Sequence, residues 1–133
     1  MLTTDELRRM SQIERCEYLA RMKLENPMEK DESGDYRAEV RVVLRPESMN
    51  LHGAVHGGLL YGLTDCVAGI AARCDGNDYV TQSAHVNFLR NTKQGTVYAL
   101  ARVVRRGRHM VVLHVAVRDA EDRLLADCAV DMM

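Results

Sequence analysis

This chain has no excess charge of either sign. Its 18 basic and 19 acidic residues give a formal net charge of -1, so there is no global field to draw it to nucleic acid or to a membrane. Any anion site has to be local. The first sixteen residues, MLTTDELRRMSQIERC, are charged throughout and contain no apolar stretch of the kind a secretory leader needs, which argues against export. The run from Leu59 to Ala72 is too short to cross a bilayer and is interrupted by Asp65. A cytoplasmic protein is expected. Repeats, low-complexity tracts and linkers are missing too, and 133 residues suffice for one domain, 1–133, but not for a second of ordinary size. The four cysteines, Cys16, Cys66, Cys74 and Cys128, show no C-x-x-C spacing. Three lie in segments that read as core, and small buried hydrophobes are the reading rather than zinc ligands or disulfide partners.

What the chain does have is a polar, glycine-rich loop running into an apolar segment, NLHGAVHGGLLYGLTDCVAGIAARC, from Asn50 to Cys74. The segment from Leu59 onward reads as a helix buried on every side. A carboxylate inside it, Asp65, is costly unless it is hydrogen-bonded or used. Gly57 and Gly58 stand where this helix should begin. Without a Cβ, they let a ligand lie against the N–H groups that a first turn leaves unpaired, at the positive end of the helix dipole. A carbonyl oxygen that becomes negative during a reaction would be stabilised there.

The rest of the chain supplies a sheet. Thr3 and Glu6 have the spacing of a capping box, and Asn26-Pro27 closes the helix that follows, giving an N-terminal helix over about 3–26. In DYRAEVRVVLRP, Tyr36, Ala38, Val40, Val42 and Leu44 face one way and Arg37, Glu39, Arg41 and Arg45 mostly the other, a half-buried strand ended by Pro46. A second strand, YVTQSAHVNFLR, places Val80, Ala84, Val86 and Phe88 on one face and Thr81, Ser83, His85 and Asn87 on the other. Strands over 96–105, 109–119 and 123–132 complete what reads as a four-strand meander after the helix. The class is α+β, an antiparallel sheet around one helix.

Asn50, Gly53, His56-Gly57-Gly58 and Asp65 match the pattern N-x-x-G-x-x-H-G-G-x6-D. In this the chain resembles the hotdog-fold acyl-CoA thioesterases, specifically the phenylacetate-degradation (PaaI-like) branch, over a core of about 36–133. The resemblance implies a hotdog fold, a long central helix wrapped by the sheet, assembled as a homodimer that doubles to a tetramer. The implied activity is hydrolysis of an acyl- or aryl-CoA thioester to a free acid and coenzyme A, with coenzyme A entering as part of the substrate and no separate cofactor or metal. Asp65 would serve as nucleophile or as general base for water, two roles that need only an ionised, well-placed carboxylate. Gly57 would donate its backbone N–H to the oxyanion, His56 would shape that end of the site, and Gly58 would line it.

Several residues carry two readings. Asn50 either orients water or the carbonyl, or is a turn residue. His56 is alternatively an ordinary helix cap, and its spacing from His52 lacks the further ligands a metal site would need. Ser83 stands on the strand where the family often has a Ser or Thr touching the catalytic acid. Its other reading is a plain solvent-facing serine, while His85 and His114 read as structural. Arg90 and Lys93, and Arg105, Arg106 and Arg108, fall in two turns that the resemblance places near the nucleotide end of coenzyme A, where guanidinium forks suit phosphates. Such runs also simply solvate turns. Asn91 departs from the family, which often has Pro there. Two other functions fit the fold: a non-catalytic acyl-CoA sensor, which would need an output domain, and a hydratase or dehydratase, which pairs a His with a carboxylate in a different loop pattern.

Overall fold

The computed structural model describes residues 34–133, together with Thr3, Glu6 and Arg9. The helix expected over about 3–26 lies outside the described residues apart from those three, where the Glu6 N–H donates to Thr3 Oγ1 at 3.2 Å. The described elements run β1 (Arg37–Val43), a 3-10 turn (Pro46–Ser48), α1 (Gly57–Arg73), β2 (Thr81–Phe88), β3 (Thr96–Arg106), β4 (Val111–Asp119) and β5 (Leu124–Met132). All five strands form one antiparallel sheet in the order β1-β3-β4-β5-β2. The expected four-strand meander is therefore only three strands long. β2 leaves the helix for the far edge and pairs with β5, and residues 89–95 carry the chain back past the start of α1 to β3. That return is fastened to the helix entry: the Val55 N–H donates to Thr92 O and to Asn91 Oδ1, both at 3.0 Å.

Alternation sets which face each strand buries. In β1, Ala38 and Val40 are buried and Arg37, Glu39 and Arg41 exposed, and Val111, Leu113, Val115 and Val117 of β4 all turn inward. Against them α1 packs Leu59, Leu60, Leu63, Val67, Ile70 and Ala71, each large side chain contributing about 1.5–3 kcal/mol by leaving water. Thr64 satisfies its hydroxyl within the helix, on Leu60 O at 2.9 Å. Cys66 and Cys128 are buried in this core and Cys74 is half-buried, all as free thiols.

The helix is not buried all round. Its first half keeps an open stripe: Gly58 and Tyr61 are exposed, and Gly57, Gly62 and Asp65 are partly so. Positions 57, 61 and 65 are one turn apart and share a face, which the five-stranded sheet leaves uncovered.

The far end of α1 is held by Arg106. Its guanidinium makes a forked pair with Asp35, at 3.0 and 2.9 Å, meets Asp75 at 2.7 Å, and donates to the Ala72 carbonyl at 2.9 Å. Tyr79 closes the cluster, its hydroxyl donating to Asp75 at 2.5 Å. Burial alone would raise the Asp75 carboxyl, but the hydrogen bonds from Tyr79 and the Asn77 amide, with the charge of Arg106, outweigh it and hold the group below the usual carboxylate range. A carboxyl lowered by folding adds stability that is fully present above its unfolded value, 3.8, and is lost as pH falls through the folded value. Arg106→Met, which keeps the stem and strips two carboxylates of their shared cation, should cost about 2–3 kcal/mol. Urea unfolding at neutral pH measures it, and an unchanged midpoint would contradict this account of the cluster.

Candidate active site

The loop before α1 is built from its own side chains. Asn50 Oδ1 accepts the N–H groups of His52 and Ala54 at 2.9 and 3.3 Å, and Gly53 supplies a left-handed residue at φ 73°. The carbonyl end of the Asn50 amide is thus engaged in shaping this turn. His56 is the N-cap, and its Nδ1 accepts the Gly58 N–H at 2.9 Å. Its backbone carbonyl takes the N–H groups of Leu59 and Leu60.

This capping leaves one donor over. Of the first helical N–H groups, that of Gly57 alone has no acceptor among the described residues. It lies at the positive end of a 17-residue helix. The Phe88 ring lies beside it, the nearest ring carbon 3.4 Å from where a Cβ on Gly57 would stand. His56 therefore distinguishes the two glycines: Gly58 gives its N–H to the cap, and Gly57 keeps its own for a ligand.

Two turns further along the open stripe, the Thr81 hydroxyl donates to Asp65 Oδ1 in a short hydrogen bond. Asp65 Oδ2 has no partner among the described residues. The partner expected for Asp65 on β2 was Ser83, and the structure puts Ser83 elsewhere: its Oγ donates to Asp131 Oδ2 at 3.2 Å on the outer face of the sheet. The cause is a one-residue register shift. Ser83 pairs with Asp131, but Thr81 pairs with Met132, so the pairing slips between them. Residues directly opposite in an antiparallel pair share a face, and Met132 and Val130 are buried against the helix. Thr81 thus joins Ala84 and Val86 on the helix side, where strict alternation would put it outside with Ser83. The outer face also pairs His85 with Asn87 at 3.1 Å and His114 with Asp127 at 2.5 Å, well apart from Asp65.

The basic residues divide between the two ends of the domain. Arg90, exposed, follows Phe88 and Leu89 at the helix entry, and its N–H bonds the Leu125 carbonyl at 3.2 Å. Arg105, Arg106 and Arg108 lie at the other end of β3, about 33 Å along an 11-residue strand from its start. Arg105 and Arg108 are exposed, whereas the Arg106 guanidinium is taken up by the cluster at the end of α1. One chain does not bring these four to a single ligand. Asn91, the departure from the family pattern, fastens the helix entry through Val55 and Thr92.

A five-stranded antiparallel sheet around one long helix is also the architecture of known proteins. The family model of the thioesterase superfamily matches residues 52–126. The chain belongs to the thioesterase superfamily. It is 30% identical over 101 residues to "Putative esterase Rv1847" of Mycobacterium tuberculosis, covering 71% of this chain and 72% of that one. A Saccharolobus solfataricus relative, also named as an esterase, is 31% identical over 90 residues, and the match spans 64% of its length. Among solved structures, the "hypothetical thioesterase protein" of Streptococcus pneumoniae with coenzyme A superimposes with a TM-score of 0.71 at 26% identity, covering 73% of this chain and 79% of that one. A Streptococcus mutans protein bound to acetyl CoA gives 0.73 at 25% identity, covering 80% and 84%. The hotdog fold expected of this superfamily is the fold described above.

Proposed function

We propose that the protein is an acyl-CoA thioesterase of the PaaI-like branch, hydrolysing an acyl- or aryl-CoA to the free acid and coenzyme A in the cytoplasm. The observation that carries this reading is the pairing, on one open helix stripe, of an unspent N–H at Gly57 with a Thr81-oriented carboxylate at Asp65. The S. pneumoniae relative supports it. Structures of that protein exist with an aspartate and with a threonine changed to alanine, and the two positions are sixteen apart, the separation of Asp65 and Thr81 here.

The Gly57 N–H holds the thioester oxygen as it becomes negative. Asp65 then either takes a proton from the water that attacks the carbonyl carbon, or attacks it directly to give an anhydride that water opens. In both cases the sulfur leaves with the electron pair of the C–S bond. Thr81 fixes the carboxylate through Oδ1, leaving Oδ2 for the proton or the carbon. Asn50 and His56 hold the loop and the cap that aim Gly57. The reaction drawn this way needs no metal or redox cofactor.

Gly57 and Asp65 are eight residues apart on α1, about 12 Å along its axis. A reacting atom must come within about 3–3.5 Å of the carbonyl carbon, so one helix does not serve one substrate alone. We therefore place each site between two chains of a homodimer, with antiparallel central helices setting Asp65 of one chain opposite Gly57 of the other. The exposed Val80, Phe88 and Leu89 and the edge of β2, unpaired among the described residues, support this. Such a dimer doubles to a tetramer. Arg90 of one chain and the exposed Arg105 and Arg108 of another are then candidates for the phosphates of coenzyme A, and Arg106 is not.

A panel of acyl-CoAs assayed for released thiol tests the activity, and no release from any member would refute it. Thr81→Val, nearly isosteric, should lower kcat about ten- to a hundredfold, the worth of one hydrogen bond to a charged group. Ser83→Ala should change it by no more than about twofold. The reverse ranking would return Ser83 to the site.

A further inference from the structure

Tyr61 has no part in the chemistry above, yet it stands midway between the two groups that do. It lies one turn after Gly57 and one turn before Asp65 on the open stripe, about 6 Å along the axis from each. Tyr61 is 42% exposed although it lies within the apolar run that begins at Leu59. Its hydroxyl bonds nothing among the described residues, and its neighbours on the stripe, Gly57, Gly58 and Gly62, have no side chains to crowd it.

The inference rests on the two-chain site proposed above. In an antiparallel pair of helices related by a two-fold axis, contacts are reciprocal. If position 57 meets position 65 of the partner, then 65 meets 57, and the position halfway between them meets itself. That position is 61. We infer that the two Tyr61 rings meet at the dimer axis and form the shared end wall of both acyl pockets, so that Tyr61 sets the length of acyl group the enzyme accepts. An acyl substituent that leaves the carbonyl at Gly57 along the open stripe runs toward the axis and reaches this ring after one helical turn. Phe88, 54% exposed beside Gly57, flanks the start of that path. Short acyl groups fit before the wall, and long straight chains are turned away by it.

Two experiments test this on the full-length protein. The first compares kcat/KM for acetyl-, butyryl-, octanoyl- and lauroyl-CoA in the wild type, Tyr61→Ala and Tyr61→Phe. One methylene more or less in an apolar pocket changes selectivity by about tenfold or more, so Tyr61→Ala should raise the octanoyl-to-acetyl ratio at least about tenfold. Tyr61→Phe, which keeps the wall and loses only the hydroxyl, should leave the ratio within about twofold of wild type. Alanine is the best helix former, so the helix and the fold of each chain should survive. The second treats Tyr61→Cys with a bis-maleimide, which joins two thiols that stand as far apart as two meeting rings hold them, beyond the reach of a disulfide. A self-paired position should give a covalent dimer on a denaturing gel that the wild type, with its own thiols, does not. An unchanged octanoyl-to-acetyl ratio in Tyr61→Ala, in a protein that hydrolyses the panel, overturns the wall. A Tyr61→Cys protein that stays uncrosslinked overturns its place at the axis. A wild type that hydrolyses nothing overturns the thioesterase reading itself, and the acyl-length inference with it.

Discussion

Asp65→Asn should abolish most turnover, lowering kcat by a factor of about 10²–10⁴, the contribution of a positioned acid-base group, while the protein stays folded. The reason for expecting both is geometric. The Thr81 hydroxyl donates to Oδ1 of the carboxylate, and an asparagine keeps an acceptor oxygen there, so the side chain can hold its place. What it loses is the charge that either attacks the thioester or removes a proton from water. Asp65 is partly exposed, on the open stripe of α1, so the core is untouched by the change. Circular dichroism and the released-thiol assay on the same sample decide the matter. A folded Asp65→Asn with near-normal turnover would leave the helix start without its reacting partner and end the assignment.

The second large effect is a recovery of activity. Gly57→Pro removes the helix-entry N–H that, among the described residues, the His56 cap leaves unspent, at a helix position where proline is well tolerated. The residue before it, His56, already has the extended backbone that a following proline requires, φ -69° and ψ 128°. This variant and Asp65→Asn should each be inactive. Unfolded together in equal amounts and refolded, they should pair at random, half the dimers being mixed. Each mixed dimer joins an intact Gly57 from one chain to an intact Asp65 from the other in one of its two sites, so about a quarter of wild-type activity should return. Verified subunit exchange with no recovered activity would show that each chain carries a whole site.

Much of this was legible in the residues. The helix entry announced itself through paired glycines before an apolar run, the strands through alternation, and Asp65 through its isolation among apolar neighbours. The errors share a cause. Periodicity reports local geometry, whereas the placement of β2 beside β5, the exposed stripe of α1 and the register slip at Thr81 are set by elements far away in sequence. The small and polar residues Gly58, Gly62 and Asp65, spaced about a turn apart, were nonetheless a signal that one face of α1 stays open. Arg106 reads like Arg105 and Arg108 in a basic turn, and only the approach of Asp35 and Asp75 separates them. The role of Asn91 was invisible because its partner, Val55, is 36 residues away.

The slip in β2 has a further consequence for how such proteins diverge. Beyond it, Ala84 and Val86 keep their places against the core, and before it the strand delivers Thr81 to the helix. The two halves of the strand are thereby uncoupled: a lineage can gain or lose a residue at this point and still bring a hydroxyl to the carboxylate, without turning the rest of the strand inside out. Where a backbone carries such slack, the face on which one end of a strand presents its side chains is set independently of the other end.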